Sequence, residues 1–156
     1  TLCDGIIASE KATFSTPFAA LSIPAEGCSS VLFARLLGED TADRILGPEG
    51  WRPTGSEAHE IGLAQWVVPH DRLLEEAQRI AEGWIAEEAK RSYRGGFTQD
   101  ELKTVNAAES VRVADAFLDV PFLRAQYKFL WRKKKRVPAA LFFALCTLRP
   151  LWSRLL

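Results

Sequence analysis

Thr16 to Ser30 reads TPFAALSIPAEGCSS, and it holds a single carboxylate, Glu26, ahead of a run with helical spacing. Upstream, Phe14, Phe18, Leu21 and Ile23 supply an apolar wall. Downstream, Ser29 or Ser30 can cap a helix running through Val31, Leu32, Leu36 and Leu37 to a stop at Gly38. Glu26 is therefore expected just before a helix start. There the positive helix end favours the charged carboxylate while burial among apolar side chains disfavours it. A carboxylate poised between those effects is a candidate general base. The plain alternative is a polar turn residue in front of the helix.

Gly5 to Ala8 and Ala12 to Phe14 read as two short strands around the polar turn Ser9-Glu10-Lys11. They are too short to form a sheet alone and need partners. Beyond Gly38, Asp40 can cap a brief helix through Ala42, Ile45 and Leu46, stopped at Gly47-Pro48, and Gly50 to Pro53 forms a loop or edge strand. Thr54 and Glu57 have capping-box spacing for a short helix ending near Gly62, and Ala64 to Val68 is the next strand. Asp71 opens an amphipathic helix with Leu73, Leu74, Ala77, Ile80, Ala81, Trp84 and Ile85 on one stripe. Arg94 to Phe97 breaks the pattern. Thr98 and Glu101 form a second capping box before Leu102, Val105, Val111, Val113 and Phe117. Asp119 and Pro121 start a further helix through Phe122, Tyr127, Phe129 and Leu130 into the basic run Trp131 to Arg136. Helices thus outweigh strands after residue 70, and neither internal repeats nor low-complexity segments occur.

The central segment, with Cys3-Asp4 and Ala8 to Phe14 before it, resembles the crotonase superfamily and, within it, the peroxisomal-type enoyl-CoA delta isomerases. The resemblance continues through Thr54-Gly55-Ser56-Glu57-Ala58, Gly62-Leu63 and Val67-Val68-Pro69. It is weaker through Val105-Asn106-Ala107-Ala108-Glu109 and Phe129 to Lys133. It implies an α/β fold: the C-terminal half of a crotonase-type β-β-α spiral, with a few short strands followed by a mostly helical region. The implied division is a partial spiral core at 1–69 carrying Glu26, a helical region at 70–136 used in trimer assembly and on the coenzyme A side, and an apolar tail helix at 137–156.

The chain of 156 residues is 47% hydrophobic, enough for one domain with a real core. It opens on Thr1 and contains no methionine, so a processed product or a fragment is expected. The resemblance places both backbone donors of the family's oxyanion hole before Cys3-Asp4, so the isolated chain is expected to be inactive. Charge balances overall but is polarised: all 20 acidic residues precede residue 124, and 9 of the 20 Lys and Arg follow Leu123. That cationic end calls for an anionic neighbour: nucleic acid, a membrane surface, an acidic subunit face or ligand phosphates; otherwise it is a solvated face. With neither a recognition motif nor a basic domain, nucleic acid is set aside. The apolar run Val137 to Leu148 has 12 residues, short of the roughly 20 that span a bilayer. Membrane contact through 137–156 stays open as a helix lying on an anionic surface, with packing against protein preferred.

Cys3, Cys28 and Cys146 are odd in number and scattered, which fits a reducing intracellular compartment. That compartment is peroxisomal or mitochondrial in a eukaryote and cytoplasmic otherwise. His59, Glu60 and His70 match no metal spacing, and Cys28 has no histidine in a motif with it, so no metal and no nucleophile are expected.

By resemblance, Glu26 is the base that removes a proton from C2 of a 3-enoyl thioester and returns it at C4. Phe14, Phe18 and Leu21 line the acyl side, and Lys128, Phe129 and Lys133 contact the coenzyme A. The substrate is then a fatty acyl-CoA and the assembly a homotrimer or hexamer. No cofactor is needed beyond the coenzyme A of the substrate. Two rivals stand beside this reading. A hydratase of the same fold uses two glutamates, one following the proline of a Phe-x-x-Pro-Glu stretch, and here Phe18 follows Pro17. A non-catalytic module of the chromodomain Y-like kind lacks a proper base in the matching segment, whereas Glu26 is present here.

Overall fold

The computed structural model describes residues 2–154. Strands β1 (Ile7–Ser9) and β2 (Trp66–Val68) pair in parallel, with Ile7 opposite Trp66, Ala8 opposite Val67 and Ser9 opposite Val68. Parallel strands require a long crossover. Here it carries four helices: α1 (Phe18–Leu21), α2 (Ser29–Leu37), α3 (Glu39–Leu46) and α4 (Gly55–Glu60). The core forms where these helices meet the strands, around Ala8, Phe33, Ala42, Ile45, Ala58, Leu63 and Ala64.

The expected strand Ala12 to Phe14 is reduced to one antiparallel bridge, Thr13 with Thr54. Phe14 N–H donates to Pro53 O at 2.9 Å, but Pro53 has no N–H to return, and a ladder needs donors from both sides. The expected strand Gly5 to Ala8 is shifted, because Ile6 bonds to the side chain and backbone of Gln65 just ahead of β2. Asp40 does not cap α3: Gly38 takes the cap position at φ 82°, and Asp40 sits in the first turn, where the helix end favours negative charge. Both capping boxes form, Thr54 with Glu57 on α4 and Thr98 with Glu101 on α6 (Gln99–Phe117).

A 3-10 turn at His70–Arg72 holds Asp71, so the next helix, α5, runs Leu73–Ala86. Its apolar stripe is only partly covered: Ile80 is half-buried, whereas Leu74 and Ile85 are exposed. Trp84 lies 6.1 Å from Trp66, centroid to centroid. After α6 come α7 (Val120–Arg132), α8 (Arg136–Thr147) and α9 (Arg149–Trp152). The basic run does not continue α7, which ends at a turn where Lys134 takes φ 58° and Lys135 N–H bonds to Leu130 O at 3.0 Å. Helix α8 packs on α7 through Phe122 with Phe142 and Tyr127 with Phe143. The tail expected as one helix is therefore two, with Pro150 in the first turn of α9. Leu155 and Leu156 lie outside the described residues. Among the described residues no helix is long and apolar enough to cross a membrane.

Candidate functional site

The loop leading into α2 has an unusual entrance. Gly27 takes φ 64° and Cys28, the N-cap residue, takes φ 63°, so two successive residues are left-handed and no side chain of the loop caps the helix. Such a start leaves helix N–H groups in need of acceptors. They find one far away in sequence, in Glu109 on α6. Cys28 N–H donates to Glu109 Oε2 at 2.6 Å and Ser30 N–H to Oε1 at 3.0 Å, and the Ser30 hydroxyl also donates to Oε1. Neither Ser29 nor Ser30 is the cap expected from sequence. Ser29 instead donates backward, its Oγ reaching Glu26 O at 2.6 Å and its N–H the same carbonyl at 3.2 Å.

Glu109 is 1% exposed, a carboxylate placed in the core beside Cys28, Leu32 and Leu102. Burying a charge is costly unless hydrogen bonds and opposite charge compensate. Two backbone donors, one hydroxyl and the positive end of α2 supply that compensation. Burial first, and then the charge of Glu109, push the Cys28 thiol above its usual range. With Cys28 Sγ also donating to Leu102 O at 3.3 Å, this is an inert packing thiol rather than a nucleophile.

Glu26 itself is exposed, which corrects the apolar enclosure expected for it. The apolar residues before it are engaged elsewhere: α1, which holds Phe18 and Leu21, packs beside α7, and Phe14 lies against the core cluster around Phe33 and Ile45. Among the described residues the Glu26 carboxylate accepts no hydrogen bond, although its backbone carbonyl is doubly held. The loop therefore presents a fixed backbone and a free carboxylate.

Lys128 and Phe129 belong to the end of α7 and Lys133 directly follows it, but the three do not converge. Lys128 lines a groove of about 540 Å³ with Arg124, Tyr127, Phe143, Cys146 and Arg149, whereas Phe129 and Lys133 lie outside it. Each histidine has a local role: His70 Nδ1 is 3.0 Å from Ser9 Oγ and His59 Nδ1 is 3.2 Å from Ala64 O. Among the described residues no group of His, Cys, Asp and Glu could hold a metal ion.

Glu109 is the residue that sequence reasoning left unassigned beyond a weak resemblance. Its signal was present: Leu102, Val105 and Glu109 recur at i, i+3 and i+7, so a carboxylate stands on the stripe of α6 that faces the core.

With this geometry established, known proteins give an independent measure. A profile of the enoyl-CoA hydratase/isomerase family matches residues 1–120, which bears out the crotonase resemblance. The peroxisomal enoyl-CoA delta isomerase 3 of Mus musculus is 30% identical over 148 residues, covering 86% of this chain and 44% of that protein. Chromodomain Y-like protein 2 of Mus musculus is 32% identical over 138 residues, covering 85% of this chain and 27% of that protein. A crystal structure of an enoyl-CoA hydratase/isomerase from Pseudoalteromonas atlantica T6c superposes with a TM-score of 0.71 at 25% identity, over 83% of this chain and 54% of its own. The chain spans about half or less of the length of each.

Proposed function

Because the chain belongs to the enoyl-CoA hydratase/isomerase family, we propose that it supplies the catalytic base, Glu26, of an enoyl-CoA isomerase acting on fatty acyl-CoA. The observation that carries this reading is the exposed carboxylate of Glu26 on a loop whose backbone is held by Ser29 at the entrance of α2. In the proposed step Glu26 takes the proton from C2 of a 3-enoyl thioester. The electron pair of that C–H bond delocalises onto the thioester oxygen as a dienolate, and Glu26 returns the proton at C4, leaving the double bond between C2 and C3. One base performs both transfers. Stabilisation of the dienolate oxygen requires hydrogen-bond donors, which we assign to the part of the family fold that this chain does not span. Lys128 and Lys133 are proposed to meet the phosphates of coenzyme A.

A hydratase would need a second carboxylate to activate water, and the position after Pro17 that would carry it holds Phe18. The match to a chromodomain Y-like protein favours a second reading, a binding module without turnover. One experiment separates them. In the complete protein, Glu26→Gln is expected to lower turnover of a 3-enoyl-CoA by about a hundred- to ten-thousandfold while thioester binding and melting temperature stay near the parent's. Parental turnover in Glu26→Gln refutes the base assignment, and a complete parent protein that binds acyl-CoA without converting it supports the module.

A further inference from the structure

Resting on the reading of Glu26 as the base, we infer that Glu109 is a positioning residue that holds it in place. Three observations converge. First, the buried carboxylate spends both oxygens on one short segment: Oε2 accepts from Cys28 N–H at 2.6 Å, and Oε1 accepts from Ser30 N–H at 3.0 Å and from the Ser30 hydroxyl. Second, that segment begins two residues after Glu26 and is coupled back to it, since Ser29 N–H and Oγ both bond to the Glu26 carbonyl. Third, Cys28 is held left-handed at φ 63°, a conformation costly for a residue with a side chain and stable only when its surroundings enforce it. The bond from its N–H to Glu109 is one such enforcement.

Glu109 is itself no second base. It is 1% exposed and each oxygen already faces a donor, so it has no path to a substrate atom. Its effect passes through the backbone. Release Cys28 and Ser30 from α6, and the Gly27–Cys28 pair is free to leave the left-handed region, carrying the Glu26 carboxylate with it. Displacement of a catalytic group by about an ångström costs on the order of a hundredfold in rate. The expected signature is therefore a fall in kcat without a matching change in KM.

The test uses the complete protein and a 3-enoyl-CoA thioester, assayed well below the melting temperature of each variant. Glu109→Gln keeps the side-chain volume and one acceptor oxygen but replaces the other with an NH₂ that faces an N–H. It is expected to lower kcat by about tenfold or more, with KM within about twofold of the parent's. Glu26→Gln is run beside it. Loss of turnover in Glu26→Gln with parental kcat in a folded Glu109→Gln overturns the positioning role and leaves the base assignment standing. Parental turnover in Glu26→Gln overturns both. If Glu109→Gln does not fold, Ser30→Ala decides. That variant removes only the hydroxyl bond, a several-fold loss of kcat at unchanged KM supports the role, and parental kcat overturns it.

Discussion

Adding one methyl group to the chain at two glycines should move stability in opposite directions. At Gly55, the first residue of α4, a Cβ would overlap the Ser9 carbonyl oxygen and lie 3.0 Å from its carbon and 3.4 Å from Glu10 Cα. The obstacle is backbone, and it is held: Ser9 pairs with Val68 in the sheet, its carbonyl accepts from Ala12 N–H at 2.9 Å, and Glu10 N–H bonds to Val68 O at 2.9 Å. Overpacking of this kind costs about 1–3 kcal/mol, and an immovable neighbour puts Gly55→Ala near about 3 kcal/mol. The lower unfolded-state entropy of alanine returns about 0.4–1 kcal/mol, leaving a net loss of about 2 kcal/mol. At Gly83, inside α5, a Cβ meets no atom within 4 Å, so Gly83→Ala gains the helix preference of alanine, about 0.5–1 kcal/mol. At about 2–4 °C per kcal/mol for a chain of this length, Gly55→Ala should lower Tm by about 4–8 °C and Gly83→Ala should raise it by about 1–4 °C. Circular-dichroism melts, backed by urea titration with unchanged m, read both. A Gly55→Ala variant as stable as the parent, or shifts of the same sign in both, refutes the contact between α4 and β1 on which the argument depends.

Further expectations concern the thiols, a helix cap and the core. A maleimide applied at pH 8 should label exposed Cys3 first and reach Cys28 only on unfolding, as followed by intact mass. Because burial and then Glu109 raise the folded Cys28 thiol, its contribution to stability is full below the ordinary thiol value of about 8.5 and is lost as pH rises above it; Cys28→Ala should remove that part of the alkaline decline in Tm. Thr98→Ala should cost about 1 kcal/mol at neutral pH. The backbone N–H and then the hydroxyl of Thr98 hold the Glu101 carboxylate below its usual range, so that contribution is present above the ordinary carboxylate value and fades as pH falls through the lowered one; the difference between Thr98→Ala and parent should shrink in acid melts. Leu32→Ala, at a side chain 1% exposed against Cys28 and Leu102, should cost about 3 kcal/mol by urea unfolding, and a loss under about 1 kcal/mol would show that the second cluster is not packed.

Where structure depends on residues a few positions apart, the sequence alone determined it. Thr54 with Glu57 and Thr98 with Glu101 close their capping boxes three residues apart, Gly38 ends α2, and the 66–68 strand lies where a β-branched, aromatic run predicts it. The boxes and the helix stop are decided by backbone donors and side chains of the same turn, which carry their partners with them, and the strand is marked by its own composition although its partner, β1, lies far away in sequence. The resemblance that located Glu26 was equally legible, because it rests on the order of short segments.

Only the tertiary structure decided what those segments meet. Pro53 faces Phe14 and stops a strand that the 12–14 segment would otherwise extend, and the α5 stripe from Leu73 to Ile85 is longer than the two strands beside it can cover. The pairing that shapes the candidate site is a long-range one: Glu109 reaches Cys28 across 81 residues, so the helix that sequence would cap with its own serines is capped from α6 instead. A cap within one turn costs little chain entropy and is visible locally. A buried carboxylate becomes favourable only after the fold has brought a set of N–H donors to it, so nothing near Glu109 in sequence announces its partner.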